Sequence, residues 1–92
     1  KNAVISYTRS SAKELGKSGL RVNCVVPGVI RTPMTSQYID KNHDKLIEPI
    51  ALGRIGTCEE VANTVLFLCS DMASYISGGI IEVTGGKYLT QL

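Results

Sequence analysis

Residues 23–34, with the sequence NCVVPGVIRTPM, have the side chains best suited to chemistry. Gly28 lets a ligand approach the backbone closely, Pro27 directs the chain as it leaves a β-branched run, and the Thr32 hydroxyl can donate or accept a hydrogen bond. In an open parallel sheet, ligands bind beyond the carboxyl ends of the strands, which is where this stretch would lie. The residues alone favour a simple turn and leave a ligand-binding loop open as the alternative.

Other reactive side chains carry weaker signals. Lys1 precedes a helical pattern, where the helix dipole mildly disfavours a cation, but a lone lysine is usually only solvated. His43 lacks the carboxylate and serine arrangement of a catalytic histidine, so we expect it to be exposed. Cys24, Cys58 and Cys69 have no CxxC pair and no histidine at zinc-ligand spacing, so neither a metal site nor a disulfide framework is indicated. We expect these thiols to fill the core.

The composition is that of a folded protein. Of the 92 residues, 43% are hydrophobic and 20% are charged, and the net charge of +2 is too dispersed for a nucleic-acid footprint. No stretch approaches the roughly 18 consecutive apolar residues that could span a bilayer. A chain this short buries only about 60 to 65% of its unfolded surface, so we expect it to be marginally stable by itself. The cysteine usage favours a reducing compartment.

The first elements that must position residues 23–34 are a helix and a strand. Val4, Tyr7 and Leu15, with the small Ser11 between the last two, are spaced by three or four and predict the apolar face of a helix over residues 2–17. The β-branched run 20–26 then predicts a strand that is covered on both faces. Residues 27–33 are expected to form a loop, followed by a short polar helix over 34–46 and an irregular segment over 48–56.

A second helix and strand complete the pattern. Thr57 and Glu60 fit a capping box, which predicts a helix from there to about Ser70. Gly78 and Gly79 interrupt the chain before a strand over residues 80–84. Helices that alternate with short buried strands predict an α/β fold with a parallel sheet.

Five further segments, taken together with residues 23–34, form a recognisable pattern. They are IALGRIG at 50–56, EEVA at 59–62, FLCSD at 67–71, YISGG at 75–79 and EVTGG at 82–86. In order and spacing, all six segments resemble the C-terminal third of the classical short-chain dehydrogenase/reductase family. The nearest branch holds the 3-oxoacyl-[acyl-carrier-protein] reductases and the type 8 17β-hydroxysteroid dehydrogenases.

This resemblance covers nearly the whole chain and implies a fold. That fold is a Rossmann-type doubly wound parallel sheet, of which residues 1–92 would hold the last two strands and their flanking helices. The N-terminal part, which binds the cofactor phosphates, would lie outside the chain. One departure is Ser18, which stands where bacterial carrier-protein reductases tend to have an arginine, so docking of an acidic carrier is in doubt.

The resemblance also implies an active site. Lys1 would be the lysine of the Tyr-x-x-x-Lys signature, four residues after a tyrosine that acts as general acid or base. Lowering the pKa of that phenol from about 10 towards about 7 requires roughly 4 kcal/mol, within reach of a nearby ammonium and an oxidised nicotinamide ring. Lys1 is the expected catalytic residue, and residues 34–51 would form a substrate lid. The expected binding residues for NAD or NADP are Lys1, Pro27, Gly28, Val29, Ile30 and Thr32.

The implied function is a dehydrogenase or reductase. Its substrate would be a hydrophobic ketone or secondary alcohol, either a 3-oxoacyl thioester or a 17β-hydroxysteroid. We expect a homo- or hetero-tetramer that assembles through the first helix, the helix over 58–70 and the last strand, in the cytoplasm or the mitochondrial matrix. No metal, nucleic acid or membrane span is expected. The alternative is a non-catalytic relative that binds dinucleotide or serves only as an oligomerisation subunit.

Overall fold

The computed structural model describes residues 2–87, so Lys1 and its predicted role lie outside the described residues. Three α-helices and four short strands follow one another in this part of the chain. In chain order the elements are α1 (Asn2–Leu15), a 3-10 turn (Gly16–Ser18), β1 (Cys24–Pro27), β2 (Ile30–Arg31), α2 (Ser36–Ile47), β3 (Gly56–Thr57), α3 (Cys58–Cys69), a second 3-10 turn (Asp71–Ala73) and β4 (Ile80–Val83). The predicted α/β order is confirmed.

Strands β1 and β4 form a parallel pair, as the alternation of elements predicts. Cys24 lies opposite Ile80 and Pro27 lies opposite Val83. Because the strands run in the same direction, both carboxyl ends meet at one edge of the sheet. Residues that follow β1 and β4 are therefore brought together, although about fifty residues separate them in the chain.

A second parallel pair was not predicted. Ile30 of β2 lies opposite Gly56 of β3, and Arg31 lies opposite Thr57. Both strands come from segments predicted to be loop or irregular, because two residues are too few to show a strand periodicity. The pair ties the chain after β1 to the start of α3.

Helix α1 turns a different face inward than its apolar pattern predicts. Thr8 is buried, with 4% of its surface exposed, whereas Val4 and Tyr7 are 56% and 75% exposed. The Thr8 hydroxyl donates to the Val4 carbonyl oxygen at 2.7 Å, so its burial leaves no unmet hydrogen bond. A short side chain at Ala12, on the inward face, allows Gly78 to approach: a Cβ atom at Gly78 would lie 3.6 Å from the Ala12 Cβ.

Strand β1 begins at Cys24, later than predicted, because the preceding residues bond to another part of the chain. The Arg21 guanidinium donates to the Leu68 carbonyl oxygen at 2.8 Å, and the Asn23 amide donates to the Ile76 carbonyl oxygen at 3.0 Å. Arg21 thereby satisfies a carbonyl in the last turn of α3, where helical carbonyls lack intrahelical partners. The backbone of Val22 is also bonded to this segment, since its carbonyl oxygen accepts from the Gly78 N–H at 2.7 Å and its N–H donates to the Ser77 hydroxyl at 3.2 Å.

Within the described residues, the β1–β4 pair is covered only in part. Among the described residues of β1 and β4, only Cys24 is buried. A sheet of two strands has an open edge on each side, and helices α1 and α3 contact it only in part. The buried apolar residues of the described part are Cys24, Ile39, Ile50, Leu68 and Ala73. No helix within residues 2–87 is long and apolar enough to cross a membrane.

Candidate functional site

The carboxyl edge of the β1–β4 pair holds the first predicted site residues. Pro27 ends β1 and is exposed, and the Gly28 N–H donates to the Val83 carbonyl oxygen at 2.9 Å. A Cβ atom at Gly28 would lie only 2.9 Å from the Cα of Thr84. Glycine is therefore required here by a contact within the chain, a packing reason that does not depend on a ligand.

Val29 and Ile30 follow Gly28, and hydrogen bonds to their carbonyl oxygens fix them in place. The Val29 carbonyl oxygen accepts from the Gly56 N–H at 3.1 Å, and the Ile30 carbonyl oxygen accepts from the Thr35 hydroxyl at 2.9 Å. Both residues are half-buried. The predicted loop is thus a fixed piece of backbone, as a binding surface for a planar ligand group would need to be.

Thr32 takes part in a reciprocal pair of hydrogen bonds with Thr35. The Thr32 hydroxyl accepts from the Thr35 N–H at 3.1 Å, and the Thr35 hydroxyl accepts from the Thr32 N–H at 2.8 Å. These bonds have the reciprocal pattern of a capping box but close the turn over residues 32–35 that precedes α2, with Pro33 at the first position after Thr32. Sequence reasoning missed Thr35, although Thr-Pro-x-Thr before a helical segment was the available signal.

A salt bridge connects this turn to α2. Arg31 donates to the Ser36 hydroxyl at 2.8 Å and lies 3.0 Å from an Asp40 carboxylate oxygen. Ile39 is the buried residue of α2, with only 1% of its surface exposed, and it packs the helix against the rest of the structure. At Asn42 the helix is kinked, with φ −122° and ψ 23°. The predicted polar helix is present, and its first half is fixed to the candidate site.

A small cleft opens at the same edge, beside the β2–β3 pair. Its volume is about 240 Å³, and its walls include Ile30, Arg54, Glu60 and Thr84. Sites that enclose a small molecule usually measure roughly 300 Å³ or more, so this cleft alone is too small for a dinucleotide. Thr32 is not among the residues that line it.

The charged side chains that line this cleft are Arg54 and Glu60, which form an ion pair, and the exposed Glu82. The Arg54 guanidinium donates to both carboxylate oxygens of Glu60, at 2.9 and 2.7 Å. Together with the Thr57 N–H, Arg54 lowers the pKa of the Glu60 carboxyl from 4.5 to about 2. Thr57 and Glu60 complete the capping box predicted at the start of α3, which is confirmed. A neutralised pair of this kind stabilises the local structure and does not attract an anion.

The remaining candidates lie away from the carboxyl edge. His43 is exposed, as expected, and its ring nitrogen lies 3.4 Å from an Asp44 carboxylate oxygen. The prediction that all thiols fill the core was wrong for Cys58 and Cys69, which are exposed at the two ends of α3, and right for Cys24. Within residues 2–87, no three histidine, cysteine or acidic side chains are placed to hold a metal ion.

Comparison with known proteins relates the whole arrangement to a protein family. A family model described as Enoyl-(Acyl carrier protein) reductase matches residues 1–87. The chain is 50% identical over 88 residues to 3-oxoacyl-[acyl-carrier-protein] reductase FabG of Aquifex aeolicus, which covers 96% of this chain and 36% of the relative. It is 47% identical over 89 residues to (3R)-3-hydroxyacyl-CoA dehydrogenase of Canis lupus familiaris, with 97% and 34% covered. The chain thus spans about a third of the length of these curated relatives.

Solved structures are similar over the same extent. A short-chain dehydrogenase/reductase from Brucella melitensis, described as a glucose/ribitol dehydrogenase, superimposes with a TM-score of 0.88 at 41% identity, over 98% of this chain and 36% of that one. YwfH, described as an NADPH-dependent reductase of bacilysin biosynthesis, gives a TM-score of 0.89 at 30% identity, over 98% and 38%. Residues 2–87 therefore have the arrangement of one part of a larger parallel-sheet fold.

Proposed function

Because the chain belongs to the short-chain dehydrogenase/reductase family, we propose that the full-length protein is an NAD(P)-dependent oxidoreductase that interconverts a ketone and a secondary alcohol on a hydrophobic substrate. Residues 1–92 are the C-terminal portion of its single Rossmann-type domain. The observation that carries this proposal is the rigid passage from β1 to Thr32 at the carboxyl edge of a parallel pair, within a chain that matches the family over residues 1–87.

The described residues suit one end of a nicotinamide dinucleotide. The half-buried Thr32 hydroxyl and the backbone around Ile30 offer polar groups of the kind that a carboxamide binds, on a segment already fixed by Gly56 and Thr35. When bound, the cofactor supplies or accepts a hydride at its nicotinamide ring. Pro27, Gly28, Val29, Ile30 and Thr32 orient that ring, and the phosphate groups bind outside this chain.

Lys1 supplies a positive charge next to the catalytic tyrosine. Its ammonium stabilises the phenolate of a tyrosine four residues earlier in the sequence and lowers the pKa of that phenol. In the reductive direction the phenol gives its proton to the oxygen of the developing alkoxide, and in the oxidative direction the phenolate takes the proton back. Residues 34–51, which include α2, cover the substrate.

A 3-oxoacyl or 3-hydroxyacyl thioester is the substrate that the names of the two curated relatives favour, and a 17β-hydroxysteroid is the second choice. The test is an assay of the full-length protein with NADH and with NADPH, using acetoacetyl-CoA and a 17-ketosteroid in parallel, read by the loss of reduced cofactor. Turnover of the thioester alone assigns the acyl class. Absence of turnover with every pair, in a protein that still binds dinucleotide, overturns the catalytic proposal.

The alternative function is that of a non-catalytic subunit. Such a subunit would bind dinucleotide and turn over none of the substrates. The exposed apolar surface of α3, where Leu66 is 67% and Phe67 is 41% exposed, suits a subunit interface and is compatible with either function. We propose that α1, α3 and β4 assemble the protein into a tetramer in either case, which light scattering of the full-length protein would measure. The residue four before Lys1 separates the two functions: any residue but tyrosine excludes the enzyme.

We place the protein in a reducing intracellular compartment, the cytoplasm or the mitochondrial matrix. The odd set of three cysteines, Cys24, Cys58 and Cys69, forms no disulfide framework among the described residues, and this cysteine usage supports the proposal. Fractionation of cells that produce the full-length protein, probed together with cytoplasmic and matrix markers, tests this placement. Recovery of the protein in a secretory fraction would contradict it.

A further inference from the structure

The Thr35 hydroxyl is the centre of a hydrogen-bond cluster between β2 and α2. It accepts from the Thr32 N–H at 2.8 Å, donates to the Ile30 carbonyl oxygen at 2.9 Å, and lies 3.0 Å from the Thr32 hydroxyl oxygen. All three residues are half-buried. Thr35 thus bonds to both Ile30 and Thr32, the residues that are proposed to hold the carboxamide of the cofactor. It follows Thr32 by three positions in the chain.

The number of hydrogens in this cluster fixes its direction. A hydroxyl has one proton to donate and two lone pairs with which to accept. The possible acceptors of the Thr35 proton are the Ile30 carbonyl oxygen at 2.9 Å, the Thr32 hydroxyl oxygen at 3.0 Å and the Thr32 carbonyl oxygen at 3.4 Å. We assign it to the nearest, the Ile30 carbonyl, because the Thr32 hydroxyl proton can then bond to the Thr35 oxygen and both hydroxyl protons are used. One lone pair is used by the Thr32 N–H, which leaves the second for the Thr32 hydroxyl proton at 3.0 Å.

The Thr32 hydroxyl is consequently polarised. Its oxygen accepts from the Thr35 N–H at 3.1 Å, and its proton is directed at the Thr35 oxygen, so one lone pair of Thr32 remains for a ligand. The Thr32 hydroxyl can therefore accept from an N–H group of a ligand. It cannot donate to a ligand carbonyl, because its only proton is already bonded to Thr35. Of the two polar atoms of a primary carboxamide, it selects the amide nitrogen.

We propose that Thr35 is a positioning residue that makes Thr32 an acceptor for the amide N–H of the nicotinamide carboxamide. This inference rests on the proposed function, because it concerns the same site. Thr35 never touches the cofactor. It acts by holding the Thr32 proton and by fixing the Ile30 carbonyl, and it thereby determines which way round the carboxamide is bound.

An equilibrium binding experiment on the full-length protein tests this. The oxidised dinucleotide is compared with its 3-acetylpyridine analogue, in which a methyl group replaces the amide NH2. Loss of one such hydrogen bond is expected to weaken binding of the analogue by about 3- to 10-fold in the wild type. Thr35→Val should bring the ratio of the two Kd values close to one, Thr32→Val should do the same, and Thr35→Ser, which keeps the hydroxyl, should restore the wild-type ratio.

The matched control is Thr64→Val, because the Thr64 hydroxyl also donates to a backbone carbonyl, that of Glu60, but lies on α3. Thr64→Val should leave the ratio of the two Kd values unchanged.

A second measurement needs no ligand. Hydrogen exchange of the Thr32 backbone N–H should be faster in Thr35→Val than in the wild type and stay slow in Thr35→Ser. If Thr35→Val does not fold, Thr35→Cys, with its weak donor, should give an intermediate ratio.

The failures are distinguishable. A wild-type protein that binds no dinucleotide overturns the proposed function. A wild type that binds both dinucleotides equally overturns the inference alone, since Thr32 then accepts nothing from the carboxamide. A Thr35→Val protein that keeps the wild-type ratio while Thr32→Val loses it shows that Thr32 binds without help from Thr35, which also overturns the inference.

Discussion

Gly28 and Thr84 lie in direct backbone contact, so that a Cβ atom added to Gly28 would sit 2.9 Å from the Thr84 Cα and 3.1 Å from its Cβ. Neither atom belongs to the flexible end of a side chain, so the backbone itself would have to move. The contact closes the carboxyl edge of the β1–β4 pair and sets where the passage to Thr32 begins.

Gly28→Ala should therefore destabilise the full-length protein by about 1 to 3 kcal/mol, the usual cost of overpacking, and should weaken dinucleotide binding. Urea unfolding and cofactor titration are the measurements. The control is Gly16→Ala, where a Cβ atom would meet no atom within 4 Å. It should change the stability by less than about 0.5 kcal/mol. Equal stabilities of the two variants would show that the Gly28–Thr84 contact is looser than the structure indicates.

The pair of Arg54 and Glu60 predicts a pH dependence. The Arg54 guanidinium and then the Thr57 N–H lower the pKa of the Glu60 carboxyl to about 2, from an ordinary value of 4.5. A carboxyl whose pKa is lowered by folding contributes stability that is fully present above its unfolded pKa and is lost as the pH falls through its folded pKa. The contribution of Glu60 should thus be complete above pH 4.5 and decline between 4.5 and about 2.

Thermal unfolding of Glu60→Gln against the wild type, from neutral pH down to about pH 3, measures this decline. The difference between their melting temperatures should be constant near neutrality and shrink below about pH 4.5. Glu59→Gln is the control: Glu59 is next to Glu60, and no ion pair found within residues 2–87 includes it. A difference between wild type and Glu60→Gln that is the same at every pH would contradict the prediction.

Arg31 connects the candidate site to the first half of α2 through Ser36 and Asp40. The ion pair is solvent-exposed, with 42% and 69% of the two side chains accessible, so Arg31→Ala should lower the stability by less than about 1 kcal/mol. If α2 covers the substrate, the same change should raise KM for the substrate several-fold with little effect on the Kd of the dinucleotide. Lys41→Ala, on the same helix, serves as control. An unchanged KM would remove α2 from the substrate site.

Lys1 carries the strongest prediction for activity. Lys1→Ala in the full-length protein should lower kcat by about 100-fold or more, because the tyrosine phenolate loses its neighbouring ammonium. Circular dichroism should show an intact fold. Lys13→Ala, which alters an exposed lysine of α1, should leave kcat unchanged. Turnover of Lys1→Ala close to that of the wild type would mean that Lys1 is not the signature lysine.

Much of the architecture could be predicted from local pattern. The start of α3 follows from Thr57 and Glu60, whose side chains satisfy backbone N–H groups only three residues away. The 3-10 turn that follows α1 is capped by Gly19, in the left-handed region with φ 82°, a position that favours glycine. These features depend on interactions within one helical turn, which the sequence carries in full.

The candidate site could be predicted only in outline. Pro27, Gly28 and Thr32 were predicted from residue type and from resemblance to the family, and the parallel β1–β4 pair places Pro27 and Gly28 at the carboxyl edge, where ligands bind in open parallel sheets. Thr35 was not predicted, because its proposed role depends on where the Ile30 carbonyl and the Thr32 hydroxyl point. Residue type alone does not specify the direction of a hydroxyl proton.

The sequence by itself determined the family, the order of helices and strands, and the stretch of chain on which the cofactor site is proposed. Only the tertiary structure decided that Gly28 is needed against Thr84, that Thr8 and not Tyr7 faces inward on α1, and that Cys58 and Cys69 are exposed. The physical reason is one of range. Helix periodicity and capping arise between residues a few positions apart, whereas a contact across more than fifty residues exists only once the elements have packed.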